Sequence, residues 1–194
     1  MRPIILASQS PRRKYLMSTI FGDNFKVHAS DFDETDDFDS SPEEVAKNNA
    51  TGKARDVAKH YDSAIIIAAD VFVVHENKIL GKPKDAEDAF NMLKKQSGKW
   101  IDAMSGLCVI DVDNNKEYYE TVITKVKMAK LTDEEIRAYV KTGDAFGKAG
   151  GFGMQDKAAI LVDEINGCYS NVVGLSLPTL HKILKKIGVK IFDY

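Results

Sequence analysis

An α/β fold is what this sequence predicts, on three observations. Residues Ala64 to Val74, AIIIAADVFVV, are apolar or alanine at every position but one and rich in β-branched types, which marks a strand buried on both faces. A later stretch, Tyr118 to Met128, carries Thr121, Ile123, Lys125 and Lys127 at the period of two that belongs to a strand. Around these, Ser10, Ser41, Asp85 and Thr132 each stand where a helix would need a cap, and two of them open capping boxes.

In chain order, Ile4 to Ala7 is a short apolar run that fits a strand. Ser10 is a good N-cap and Pro11 suits the first helical position, so a helix is expected from Pro11 to about Ile20. Arg12 and Arg13 fall in its first turn, where free N–H groups and the positive end of the helix dipole already lie. A strand, a serine-rich turn and two guanidiniums at a helix start make an anion site suited to phosphate oxygens. The plainer alternative is two solvated arginines. Asp31 to Asp39 is an acidic loop holding Asp31, Asp33, Glu34, Asp36, Asp37 and Asp39. It lacks the central glycine and distal glutamate of a calcium loop, but one or two of its carboxylates could complete a magnesium site when a substrate brings phosphates.

Ser41-Pro42-Glu43-Glu44 is a capping box opening a helix to about His60, with Ala46, Ala50, Ala54, Val57 and Ala58 as its apolar stripe. Lys53 borders that stripe, either as a snorkelling side chain or as a functional cation. Gly52 beside it costs roughly 1 kcal/mol against alanine inside a helix, and leaves room for another group to approach the lysine. After the Asp70 strand come a polar HENK turn and Ile79-Leu80, a hairpin, and then Lys82 on the stiff turn Gly81-Lys82-Pro83. Asp85 caps a helix to about Ser97, which Gly98 stops. Met104 to Asp111 and Tyr118 to Met128 are strands joined by a DNNK turn, and Thr132 to Glu135 starts a short helix ending before Gly143.

Gly143 to Gln155, GDAFGKAGGFGMQ, is the most glycine-dense part of the chain. It is no Walker loop, because the spacing is one residue short and Ala149 replaces the metal-binding Ser/Thr, and it holds no GxGxxG. A flexible loop is the plain reading; the Gln155 amide is nevertheless suited to a base edge. The tail gives a turn, a short apolar segment and an amphipathic helix from about Pro178. With no internal repeat and no Pro/Ser-rich linker, residues 1–194 are expected to form a single domain.

Bulk properties narrow the function. With 44% hydrophobic and 29% charged residues the chain is globular, not disordered or fibrous. A net charge of −2 argues against binding by bulk phosphate-backbone contacts, so no stable nucleic-acid complex is expected. Cys108 and Cys168 have no CxxC or Cys/His spacing and read as small core residues of a reducing compartment. The N-terminus has too short an apolar stretch for a signal peptide and no run approaches membrane-spanning length, so a cytoplasmic protein is expected.

Asp70 concentrates the chemistry. An ionised carboxylate in an apolar strand costs several kcal/mol unless cations meet it. Two arginines, two lysines and an acidic loop supply a common purpose: cations neutralise a polyphosphate while carboxylates hold a divalent metal and activate water. Hydrolysis of a phosphoanhydride fits. Nucleophilic triads fit poorly, since His28, His60, His75 and His181 sit in no motif and no GxSxG exists.

ILASQSPRR at 5–13, Asp33-Glu34, Lys53-Ala54, Ala69-Asp70, Gly81-Lys82-Pro83, GDAFGKAGGFGMQ at 143–155 and INGCYSNVVGLSLP at 165–178 together resemble the Maf family of nucleoside triphosphate pyrophosphatases. The likeness is collinear from Ile4 to near the C-terminus. It implies a mixed, curved β-sheet with flanking helices forming two lobes around a central cleft, usually in a homodimer. It implies hydrolysis of a nucleoside triphosphate to monophosphate and pyrophosphate with Mg²⁺ or Mn²⁺, in a housecleaning role or one linked to cell-division arrest. By position, Asp70 matches the proton acceptor and Glu34 the metal-associated acid, with Asp70 sharing the metal. Ser8, Arg12 and Arg13 match the phosphate-binding block, Lys53 and Lys82 the lysines that neutralise the triphosphate, and Gln155 the base-reading glutamine. The SPRR form resembles the branch acting on dTTP and UTP. Val71 stands at the specificity position where the family usually has Thr, Ile101 lies near the place of a frequent histidine, and Ser105 replaces a usual Thr. The contrasting expectation is a non-catalytic nucleotide-binding regulator of cell division.

Overall fold

The computed structural model describes residues 2–34 and 40–194. Asp36, Asp37 and Asp39 of the acidic loop lie outside the described residues. Two compact units divide the chain, the first built from residues 1–70, 105–122 and 174–194, the second from 71–104 and 123–173. The described strands form one seven-stranded sheet of mixed direction, and six α-helices accompany it. That is the α/β class expected.

In the first unit, β1 (Ile4–Leu6) runs parallel both to β2 (Lys26–Val27) and to the start of β3 (Ile65–His75), with Ile5 opposite Lys26 and Ile66. Helix α1 (Pro11–Phe21) begins where Ser10 Oγ accepts from the Arg13 N–H, with Pro11 at its first position. Helix α2 (Pro42–Ala58) opens on the Ser41/Glu44 capping box. It ends two residues before the expected His60, because the His60 and Tyr61 N–H groups bond three residues back and tighten the last turn. Its stripe of Ala50, Ala54 and Val57 packs on Ile5, Ala7, Ile66, Ala68, Cys108 and Ile110. The small residues let helix and sheet approach closely: a Cβ on Gly106 would collide with the Ala46 carbonyl oxygen.

In the second unit, the end of β3 pairs antiparallel with β4 (Lys78–Leu80) through the Glu76-Asn77 turn, both residues at positive φ as this tight hairpin demands. Helices α3 (Ala86–Gln96) and α4 (Asp133–Lys141) start at the Asp85 and Thr132 caps. Phe90, Leu93, Ile101, Val126, Met128, Ile136, Val140 and Phe152 form its core.

Three elements depart from the sequence reading. Strand β5 (Trp100–Asp111) begins four residues before Met104; Ile101 and Ala103 are buried on either side of half-buried Asp102, an alternation that an apolar-run search passes over. The strand β6 (Lys116–Met128) pairs with an unexpected β7 (Val162–Asn166), antiparallel with Val126 opposite Ile165. A one-turn helix α5 (Tyr169–Val173) precedes α6 (Leu177–Lys186), the amphipathic C-terminal helix expected from Pro178. No helix among the described residues is long and apolar enough to cross a membrane.

Cys108 is fully buried, whereas Cys168 is half-buried. Burial pushes the Cys108 thiol up to about 12. A thiol-disulfide reagent at pH 8 should therefore titrate Cys168 in the native protein and Cys108 only in denaturant. Two fast thiols without denaturant would contradict this packing.

Candidate active site

Alternation along β3 decides where Asp70 points. Ile66 and Ala68 face α2, so the residue two positions on lies on the same face. Asp70 is 7% exposed there. Over it α2 brings Asn49 and Lys53, four residues apart and hence on one side of the helix. Asn49 Nδ2 donates to Asp70 Oδ2 at 3.0 Å, and Lys53 Nζ donates to Oδ1 at 2.9 Å. A second cation comes from α1: Arg13 Nη2 lies 3.8 Å from Oδ1.

Arg13 is buried and thoroughly engaged. Its Nε donates to the Gly174 carbonyl at 2.9 Å and its Nη1 to Ser8 Oγ at 3.1 Å, while Ser8 Oγ also accepts from the Ser10 N–H at 3.2 Å. The expected phosphate-binding block is thereby divided. Ser8 and Arg13 are buried and bonded to each other, with Arg13 beside Asp70. Arg12, half-buried at the start of α1, has no hydrogen bond or ion pair among the described residues.

Lys53 reaches a second acid, with Nζ 2.6 Å from Glu34 Oε1. The segment carrying Glu34 is fixed on α2 at two points. Ser30 Oγ and the Asp31 N–H both donate to Asp56 Oδ2 at 2.9 Å. The Phe32 ring covers Gly52, where a Cβ would collide with it. The missing side chain anticipated at Gly52 is thus what allows the aromatic ring to lie down beside the lysine.

Burial by itself would push the Asp70 carboxyl up, but the charges of Lys53 and Arg13 and the hydrogen bonds from Lys53 and Asn49 outweigh it and hold it below its ordinary value. Burial pulls the Arg13 guanidinium down against the opposing charges of Asp70 and Glu34. The carboxylates of Glu34 and Asp70 converge on one point, the Lys53 ammonium, so they offer two oxygens to a single cation. That donor set fits a hard divalent ion, which takes one or two protein carboxylates and fills its remaining positions with phosphate oxygens and water. Among the described residues no cluster of three or more potential ligands would hold a metal unaided.

The remaining expected site residues belong to the second unit. Val71 follows Asp70 on β3 and is half-buried; Lys82 is exposed, without an ion pair among the described residues; Gln155 is exposed. Lys82 and the glycine-dense segment are neighbours, since the Gly150 N–H donates to the Gly81 carbonyl at 3.0 Å. Lys148 is spent internally, 2.9 Å from Asp144 and 3.3 Å from Asp156.

Sequence reasoning missed Asn49 and Gly174. A polar residue four before Lys53 on the same helical side is a signal that could have found Asn49. Gly174 acts through its backbone carbonyl, which has none.

Comparison with known proteins follows the same outline. A family model described as Maf-like protein matches residues 3–187. The chain is 48% identical over 193 residues to a dTTP/UTP pyrophosphatase of Methanosarcina mazei, covering all of this chain and 98% of that protein. A dTTP/UTP pyrophosphatase of Ruminiclostridium cellulolyticum is 47% identical over 192 residues, covering 98% and 99%.

Replacing Lys53 by Met leaves a buried carboxylate short of its nearest cation, a loss of about 3–5 kcal/mol in urea unfolding. Adding Asp70→Asn to that variant should recover part of it; no recovery would show that the two side chains are not coupled. Because Asp70 titrates lower in the fold than in the unfolded chain, its stabilisation is complete above roughly pH 4 and is lost as pH falls through the lower folded value. Asp70→Asn should accordingly flatten the acid limb of the stability profile.

Proposed function

The chain belongs to the Maf-like protein family, and from that premise we propose that it hydrolyses nucleoside triphosphates, dTTP and UTP among them, to the monophosphate and pyrophosphate. The observation that carries this reading is Asp70, a buried acid kept ionised by Lys53, Arg13 and Asn49. The names of its relatives supply the substrate.

Asp70 accepts the proton of a water directed at the α-phosphorus. Asn49 and the Arg13–Ser8–Gly174 set hold the carboxylate in one orientation, so no reorganisation is needed as the proton moves. Arg12, with its guanidinium uncommitted, and Lys82 take the charge of the triphosphate and of the departing pyrophosphate. Lys53 supplies positive charge beside Asp70, and its ammonium donates to phosphate oxygens when they arrive. Glu34 and Asp70 would hold Mg²⁺ or Mn²⁺, which when bound neutralises phosphate charge and polarises the attacked centre. Val71 and Gln155 are assigned to recognition of the base, and the protein to the cytoplasm as a homodimer, on family likeness.

Asp70→Asn should lower kcat by at least ~10²–10⁴-fold, the contribution of a general base, with circular dichroism unchanged. Pyrophosphate release at the wild-type rate would remove Asp70 from the chemistry, and orthophosphate as product would replace the reaction with phosphatase action. No product from any nucleoside triphosphate with Mg²⁺ or Mn²⁺ would leave a nucleotide-binding regulator. Arg12→Ala should raise KM for triphosphates by about tenfold or more, as the loss of a charge-assisted contact requires; unchanged kinetics would take Arg12 out of the anion site.

A further inference from the structure

Gln155 Nε2 donates to Asp156 Oδ2 at 3.0 Å. A carboxylate has no proton to give, so the NH₂ end of the amide must face it and the carbonyl oxygen must turn away. Asp156 is itself anchored. Its Oδ2 lies 3.3 Å from Lys148 Nζ, which lies 2.9 Å from Asp144 Oδ1, and Asp144 Oδ2 accepts from the Tyr139 hydroxyl at 3.3 Å. The Lys148 side chain is only 12% exposed. Gly153 lies against its stem, where a Cβ would come within 2.9 Å of Cδ and Cε. The backbone on either side is pinned as well: Gln96 Nε2 donates to the Gly150 carbonyl at 2.8 Å and Tyr139 Oη to the Gly151 carbonyl at 3.1 Å. What reads as a glycine-dense flexible loop is a held platform bearing one oriented amide.

We propose that Asp156 is a positioning residue that locks Gln155 with its oxygen outward, so that Gln155 takes the N3–H of uracil or thymine and turns away cytosine. This rests on the pyrimidine triphosphate reading above. Uracil and thymine carry two carbonyl acceptors and a single donor, the imide N3–H, on their pairing edge, so a fixed acceptor can meet only that donor. Cytosine has a lone pair at N3. Its donor, the exocyclic N4–H₂, is displaced from that position, so a base held in the same register sets two acceptors face to face, and the wrong base loses on the order of 10–100-fold in recognition. A glutamine free to rotate would offer its NH₂ to cytosine and erase the difference. The neighbouring carboxylate therefore turns an ambivalent side chain into a selective one.

The test compares kcat/KM for UTP and CTP, read by pyrophosphate release, in the wild type and in Asp156→Ala. The wild type should prefer UTP by about tenfold or more, and the variant should lose most of that preference through a lower KM for CTP. A merely structural role for Asp156 would depress both substrates alike and leave their ratio unchanged, which overturns the proposal. So would a wild type indifferent to the two bases. Affinities for UMP and CMP, measured by titration calorimetry on the same two proteins, must follow the same ratio whether or not turnover is seen. If neither UTP nor dTTP is cleaved the catalytic reading falls, while an unchanged UMP-to-CMP ratio separately defeats the role of Asp156.

Discussion

The ion pair between Lys53 and Asp70 is the constraint from which the first unit follows. Neither charge is tolerable alone at that depth, and their meeting depends on a helix lying close to a sheet. The alanine stripe of α2 and the bare Cα of Gly106 supply that closeness. The strand parity that puts Ile66 and Ala68 into the core also delivers Asp70 to the helix. Packing and chemistry are set by one geometry, so a change that lifts α2 from the sheet would disturb both.

Much of this was legible beforehand, for identifiable reasons. Caps at Ser10, Ser41, Asp85 and Thr132 are local chemistry, and each opens the helix it announces. The β3 strand stands out because burial on both faces leaves Asp70 as the one polar residue between Ile65 and Val74. Strand β2 has two exposed residues and β7 is mostly polar, so their identity as strands comes from the partner they bond and not from their own sequence. At the candidate site, the titratable residues are legible by type, but the different surroundings of the adjacent arginines are not. Helical geometry turns Arg13 towards Ser8 and the Gly174 carbonyl, a partner 161 residues away that no local pattern discloses.

Each unit contains a nearly buried lysine between two acids: Lys53 between Asp70 and Glu34, and Lys148 between Asp144 and Asp156. The resemblance ends at their surroundings. Lys53 has as one neighbour an acid whose side chain is half exposed, 51% in the case of Glu34, so a bound anion could compete for it. Lys148 is closed in by the hydrogen bond from Tyr139 to Asp144 and by the Gly153 backbone, and serves as a strut. The two lysines are about equally buried, at 8% and 12% exposed, so the contrast lies in their outer acids, Glu34 at 51% and Asp156 at 36%.

The boundary between the units falls between Asp70 and Val71, and each unit is assembled from separated stretches of chain, three for the first and two for the second. No contiguous fragment exchanged between two related genes can therefore carry either unit whole without residues of the other.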